Sequence, residues 1–196
     1  NFFIYYNITL NPVIFMEFKI DSHQEEYLNS VNFMENRVNE IIKGLSSDLI
    51  WFVNYPSIYT FGPQTVESDL IIKDLFPVYE TSRGGKLTYH GPGQRTVYLM
   101  IDLNKRTKDI KKFVQKIELV ILKTLSLYNI TGELNSDHHG VFVQKDMRAH
   151  KIASIGLKFK KWTSFHGFSI NVRTQLDNYR GINPCGLNSS DVTSLL

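Results

Sequence analysis

The chain holds a single cysteine, Cys185, and it stands in Asn183-Pro184-Cys185-Gly186. Pro184 keeps Asn183 out of helical geometry and Gly186 permits a sharp turn, so the thiol sits where a ligand can reach it. Such a thiol is a candidate nucleophile. It also fits a small buried hydrophobe, the usual fate of a free cysteine. Lys151 is the second candidate. It opens Lys151-Ile-Ala-Ser-Ile-Gly-Leu-Lys-Phe-Lys160, where alternation sets Ala153, Ile155, Leu157 and Phe159 against Ser154, Lys158 and Lys160. Lys151 falls on the apolar face. Either its ammonium snorkels out at the strand mouth, or it points into a dry pocket, where an amine is chemically useful.

The same alternation over Trp162–Val172 puts Trp162, Ser164, His166, Phe168, Ile170 and Val172 on one face. His166 is then inward-facing beside Gly167, as a group that orients a reacting partner or as a hydrogen-bonded core histidine. The densest stretch is Arg83-Gly84-Gly85-Lys86-Leu87-Thr88-Tyr89-His90-Gly91-Pro92-Gly93-Gln94. Its glycines let backbone approach a ligand closely. It lacks the spacing of a Walker loop or a dinucleotide fingerprint, and a plain glycine-rich hairpin leaves Arg83, Tyr89 and His90 unexplained. With one cysteine, and with Asp137-His138-His139 lacking ligand spacing, no metal is expected. No other cofactor is expected either.

Two helices must support these residues. Ser22-His23-Gln24-Glu25 reads as a capping box, followed by an apolar face of Tyr27, Val31, Met34, Val38, Ile41 and Leu45, with Gly44 as the stop. A second helix is expected from about Asp109 to Tyr128, with Ile110, Phe113, Ile117, Ile121 and Leu125 inward. Strands are expected near Val13–Phe18, at Leu49–Tyr55 as a central strand, at Thr96–Leu103, and at Val141–Lys145, Lys151–Lys160 and Trp162–Val172 as an antiparallel meander. Sheet plus two substantial helices without regular βαβ alternation gives an α+β fold.

At 196 residues and 42% hydrophobic content the chain suits one domain, 1–196, with its own core. A net charge of +3 with both signs mixed does not suggest a nucleic-acid partner. A lone cysteine forbids an internal disulfide and favours a reducing compartment. No apolar run is long enough for a membrane span. The interrupted apolar N-terminus reads as a strand and not a signal peptide. The chain begins at Asn1 and not at Met, so a targeting segment could precede it.

The stretches Arg83–Gln94, Lys151-Ile-Ala-Ser-Ile-Gly156, Phe165-His-Gly-Phe-Ser-Ile-Asn-Val172 and Ile182-Asn-Pro-Cys-Gly186, in this order and spacing, resemble the lipoyl/octanoyl transferase family of lipoate biosynthesis. The likeness runs from about Leu49 to Leu195 and includes Tyr59-Thr60-Phe61-Gly62. The N-terminus and Leu134–His150 match poorly.

The resemblance implies a single catalytic α+β domain with a mixed β-sheet flanked by helices, shared with biotin protein ligases and lipoate ligases. It implies octanoyl (or lipoyl) transfer from acyl carrier protein to a lysine of a lipoyl domain or of glycine-cleavage H protein. Cys185 would be the acyl thioester and Lys151 its partner. Arg83, Gly84, Gly85, Lys86, Leu87, Thr88, Tyr89 and His90, with Ser154, Ile155, Gly156, Gly167, Phe168 and Ser169, would form the acyl pocket. Both implied partners are acidic as families, so the clusters Lys105, Arg106, Lys108, Lys111, Lys112 and Lys158, Lys160, Lys161 could steer them. The compartment would be cytoplasm, mitochondrion or plastid. Two rivals are an ATP-dependent lipoate or biotin ligase of the same fold, which needs no cysteine, and a non-catalytic module that holds acyl carrier protein.

Overall fold

A computed structural model describes residues 2–8, 14–135, 139–184 and 187–196, with side chains from residue 15 onward. The strands are β1 (Phe2–Ile8), β2 (Ile14–Gln24), β3 (Asp48–Asn54), β4 (Ile58–Phe61), β5 (Val78–Glu80), β6 (Thr88–His90), β7 (Gln94–Met100), β8 (Gly132–Leu134), β9 (Val141–Lys145), β10 (Arg148–Lys160) and β11 (Thr163–Asn171). The helices are α1 (Tyr27–Ile42) and α2 (Ile110–Ser126). The large sheet runs β1-β2-β3-β7-β11-β10-β9-β8, and a small one runs β5-β4-β6. β2 and β3 pair in parallel, as do β4 and β5, while the other ladders are antiparallel. This is the α+β architecture expected, with β3 inside the sheet and β9, β10 and β11 as a meander.

Each face of the large sheet is covered by one helix. Tyr27, Met34, Val38 and Ile41 of α1 pack on Leu49, Trp51, Val53, Tyr98, Met100 and Phe165. Each such burial contributes about 1.5–3 kcal/mol. Ile117, Ile121 and Leu125 of α2 pack on the opposite face with Val97, Leu99, Ile152 and Ile170. A third cluster joins the small sheet to the C-terminal region through Tyr59, Leu87, Tyr89, Tyr179, Ile182 and Val192. No helix among the described residues is long and apolar enough to cross a membrane.

Three local expectations fail for stated reasons. The capping box does not form, because Ser22-His23-Gln24 belongs to β2, where Gln24 pairs with Asn54. The Asp21 carboxylate holds that strand inward, accepting from Trp51 Nε1 at 2.6 Å and from Lys19 Nζ at 2.8 Å. Helix α1 therefore starts at Tyr27, with no side-chain cap at Glu26. Leu45 lies past the end of α1 and Ile110 sits in the first turn of α2, and both are exposed. Asp109 does cap α2, accepting from Lys112 N–H at 3.0 Å.

An open apolar groove of about 750 Å³ lies between α2 and the sheet, lined by Phe52, Leu99, Phe113, Ile117, Ile170 and Leu195 among others. Among the described residues singled out from the sequence for their chemistry, only Phe168 reaches it.

Candidate active site

The glycine-rich stretch, β10 and β11 converge on a small cavity of about 40 Å³ on the α1 side of the large sheet. Its walls are Arg83, Gly84, Gly85, Lys86, Thr88, His90, Ser154, Ile155, Gly156, His166, Gly167, Phe168 and Ser169, joined by Tyr27, Thr96 and Tyr98. The pairing explains why segments far apart in sequence meet. Ser154 faces Ser169 and Gly156 faces Gly167 across β10 and β11. Gly84 N–H then bonds to Leu157 O at 2.9 Å, pinning the loop to β10.

Gly156 is small because the loop crosses it: a Cβ there would lie 3.0 Å from Arg83 Cδ and 3.1 Å from Gly84 O. Leu87 and Tyr89 do not join the wall. On β6 and its approach they turn the other way, into the third cluster, at 1% and 0% exposure. Tyr27, Thr96 and Tyr98 escape a reading of the sequence because each looks like an ordinary core or strand position. Only the third dimension brings α1 and β7 to the loop.

Arg83 is buried, and its guanidinium organises the rim. Nη2 donates to Thr60 O at 2.7 Å and to Thr60 Oγ1 at 2.9 Å, while Nη1 donates to Gly84 O at 3.1 Å. One side chain thus ties β4 to the glycine-rich loop.

Strict alternation fails at His166. Its φ of 57° breaks the period. Its ring stacks on Phe165 and meets Tyr98 edge-on, at 5.3 and 6.0 Å between centroids, on the α1 side. Phe168 and Ile170 pack with the α2 cluster. His166 is therefore not on their face.

His90 and His166 are both held neutral. Burial, with the Arg83 charge as second cause, pushes His90 down to about 4 and His166 down to about 3. Gln94 Nε2 donates to Tyr89 O, so Gln94 Oε1 must accept from His90 Nδ1–H at 2.8 Å. That assigns the proton to Nδ1 and leaves Nε2 bare.

The sign of the pH effect follows. Between the unfolded value near 6.5 and the folded values, the unfolded chain binds more protons, so stability falls as pH drops. Each histidine is expected to cost about 2 kcal/mol between pH 7 and pH 5. Urea unfolding at the two pH values measures this, and His90→Gln is expected to remove about half of the loss. An unchanged difference in that variant would exclude His90 as a cause.

Lys151 is buried at 4% exposure, so it does not snorkel. A bulge between Lys151 and Ala153 shifts the strand phase. Ile152 takes the place in the α2 core, and Lys151 stands opposite Phe142, its Nζ 5.4 Å from that ring's centroid. The alternation that put Lys151 with Ala153 and Ile155 is thus broken by one residue. Gly140 makes room for it: at φ 123° its missing Cβ would lie 2.8 Å from Lys151 Cε and 2.3 Å from Ala153 O.

Lys151 does not line the cavity; it lies three residues, about 10 Å, along β10 from Ser154. Cys185 and Gly186 lie outside the described residues, as do Asp137 and His138. Their neighbours are placed. Ile182 bridges Leu70, Asn183 N–H bonds to Asp69 O at 2.8 Å, and Leu187 N–H bonds to Pro184 O at 2.9 Å. The chain then returns so that Val192 lies beside Lys151, and Thr193 N–H bonds to Lys151 O at 2.9 Å.

The basic clusters are only partly available at the surface. Arg106 is drawn onto the buried Asp48 carboxylate and Asp102 O, and Lys160 Nζ donates to Asn39 Oδ1 at 2.8 Å. Lys105, Lys108, Lys111, Lys112 and Lys161 are exposed.

A family model described as the lipoyl protein ligase A/B catalytic domain matches residues 26–196. An octanoyltransferase of Bartonella bacilliformis is 44% identical over 92% of this chain and 79% of its own length. One from Anaplasma phagocytophilum is 44% identical over 92% and 87%. A bipartite lipoate protein ligase from Thermoplasma acidophilum, solved in work on that system and its E2 lipoyl domain, superposes with a TM-score of 0.62 at 15% identity, over 85% of this chain and 66% of that one. A lipoate-protein ligase A bound with ATP superposes with the same TM-score, 0.62, at 15% identity over 90% and 75%. These two share the fold.

Proposed function

We propose, for a chain that belongs to the lipoyl protein ligase A/B catalytic-domain family, a two-step octanoyl transfer through Cys185. The protein is an acyltransferase of protein lipoylation. The donor in this reading is octanoyl-acyl carrier protein, and the acceptor is a lysine of a lipoyl domain or H protein. The reaction belongs to the compartment that holds both, a bacterial cytoplasm or an organelle. The observation that carries it is the return of the chain: leaving Pro184 and resuming at Leu187, it lies beside the buried Lys151 by Val192. The returning arm of the segment that carries Cys185 thus lies against the Lys151 backbone, which supports a partnership between the two residues.

In the first step the Cys185 proton passes to Lys151, and the thiolate attacks the carrier thioester. The carbonyl carbon forms a bond to Cys185 Sγ and releases the carrier thiolate, which takes the proton back. In the second step the acceptor amine attacks the Cys185 thioester. An amide forms, Cys185 Sγ leaves, and Lys151 removes the amine proton. Lysine suits both steps. The same amine can take the thiol proton in the first step and the acceptor's proton in the second. The cavity walled by Arg83, Ser154, Ile155, Gly156, Phe168 and Ser169 would take the aliphatic tail. Exposed Lys105, Lys108, Lys111 and Lys112 would steer the acidic donor.

Incubation with octanoyl-acyl carrier protein without ATP, followed by intact-mass measurement, is expected to show one octanoyl adduct. Cys185→Ala is expected to abolish it. An adduct that forms only with ATP would favour the ligase reading, and binding without an adduct would favour a non-catalytic module.

A further inference from the structure

Three buried polar side chains play no part in the transfer chemistry, yet they form one node. They are Gln94 at the start of β7, Asn171 at the end of β11 and Tyr179 in the 3-10 turn Leu176–Gly181, each 4% exposed or less. One Gln94 Nε2 hydrogen is held by Tyr89 O, and the other is shared between Asn171 Oδ1 at 3.0 Å and the Tyr179 hydroxyl at 3.1 Å. The Tyr179 hydroxyl donates to Asn171 Oδ1 at 3.1 Å. Asn171 Nδ2 donates to Thr193 O at 3.0 Å. The amide cannot be flipped, since that would set donor against donor and oxygen against carbonyl. Asn171 O also accepts from Leu195 N–H at 3.1 Å.

The node lies between the two arms of the Cys185 segment. Tyr179 precedes Pro184 in the chain, and Ile182 N–H bonds to Tyr179 O at 3.0 Å. Thr193 follows Leu187, and its own N–H is bonded to the Lys151 carbonyl. One side chain, Asn171, thus holds the outgoing arm through Tyr179 and the returning arm through Thr193. The returning arm is held in turn against the Lys151 backbone. Buried networks of this kind are rigid when every member is satisfied, and they fail sharply when one is removed.

We propose that Asn171 is a positioning residue, which through Tyr179 and Thr193 fixes both ends of the segment that presents Cys185 to Lys151. Its catalytic consequence rests on the transferase reading above, whereas its effect on the thiol's setting does not.

Two variants cut the arms separately. Tyr179→Phe removes the hydroxyl that holds the outgoing arm. Asn171→Asp keeps an acceptor for Gln94 and Tyr179 but sets an oxygen against Thr193 O. In both, KM for octanoyl-acyl carrier protein is expected within twofold of wild type. The value of kcat per titrated active thiol is expected to fall tenfold or more. Alkylation of Cys185 by iodoacetamide at pH 7 is expected to slow at least fivefold, with circular dichroism unchanged. A merely structural role would lower the titrated fraction and leave kcat per titrated thiol intact, which would overturn the proposal. If the wild type forms no octanoyl adduct, the transferase reading fails, and the alkylation rates still decide the positioning role. Equal rates in wild type and variants would overturn it. If Asn171→Asp does not fold, Tyr179→Phe alone decides between these outcomes, since it loses a single hydroxyl.

Discussion

Replacing Lys151 by Met is expected to lower octanoyl transfer by about 10³-fold, within the range of a lost general acid–base group, while the protein stays folded. Methionine keeps an unbranched stem in the space that Gly140 leaves open, and it removes only the ammonium. Methionine is close to the lysine stem in length and flexibility and fills the same space, so the thermal midpoint is expected to hold. Lys151→Arg is not expected to rescue transfer. A guanidinium does not give up its proton in a protein. Intact mass then divides the two steps. If the octanoyl adduct on Cys185 accumulates in Lys151→Met, the lysine serves the second step, and if no adduct forms it serves the first. Ordinary turnover in this variant would remove Lys151 from the mechanism.

Arg83→Ala is expected to cost about 3 kcal/mol of stability, because it leaves the buried Thr60 O and Oγ1 without their donor and removes the part-buried bond to Gly84 O. The same change should open the cavity. Arg83 bridges β4 to the loop that crosses Gly156, so KM for the octanoyl donor is expected to rise at least tenfold, with a smaller change in kcat. Arg83→Lys should recover little, since one ammonium cannot span the acceptors that the guanidinium reaches. A third readout is specific to the charge. The Arg83 guanidinium helps hold His90 and His166 below their ordinary range, so both should titrate higher in Arg83→Ala by NMR. Unmoved histidines and an unchanged KM would show that Arg83 serves only the fold.

Much of this molecule was legible from residue order. The 3.6-residue period of Met34, Val38 and Ile41, and of Ile117, Ile121 and Leu125, named the two helices and their buried faces, because a helix repeats its side on that spacing whatever it packs against. The α+β class followed from those helices and the strand pattern. The four motifs from Arg83 to Gly186 carried the family, because close backbone approach and a turn thiol demand particular residue types.

Tertiary structure decided what local pattern could not. Ser22 and Glu25 have the chemistry of a cap, but Asp21 is committed to Trp51 across the sheet, and that long-range bond keeps the segment in β2. Leu87 and Tyr89 belong to the same motif as Arg83 and His90, yet alternation at β6 sends them into a different core. The bulge at Lys151 and the left-handed backbone at His166 each reverse a face by one residue, which no period-2 reading anticipates. Residue order thus sets which groups are available for chemistry. Only the packed sheet decided which way they point, because facing is set by the pairing register and by partners distant in the chain.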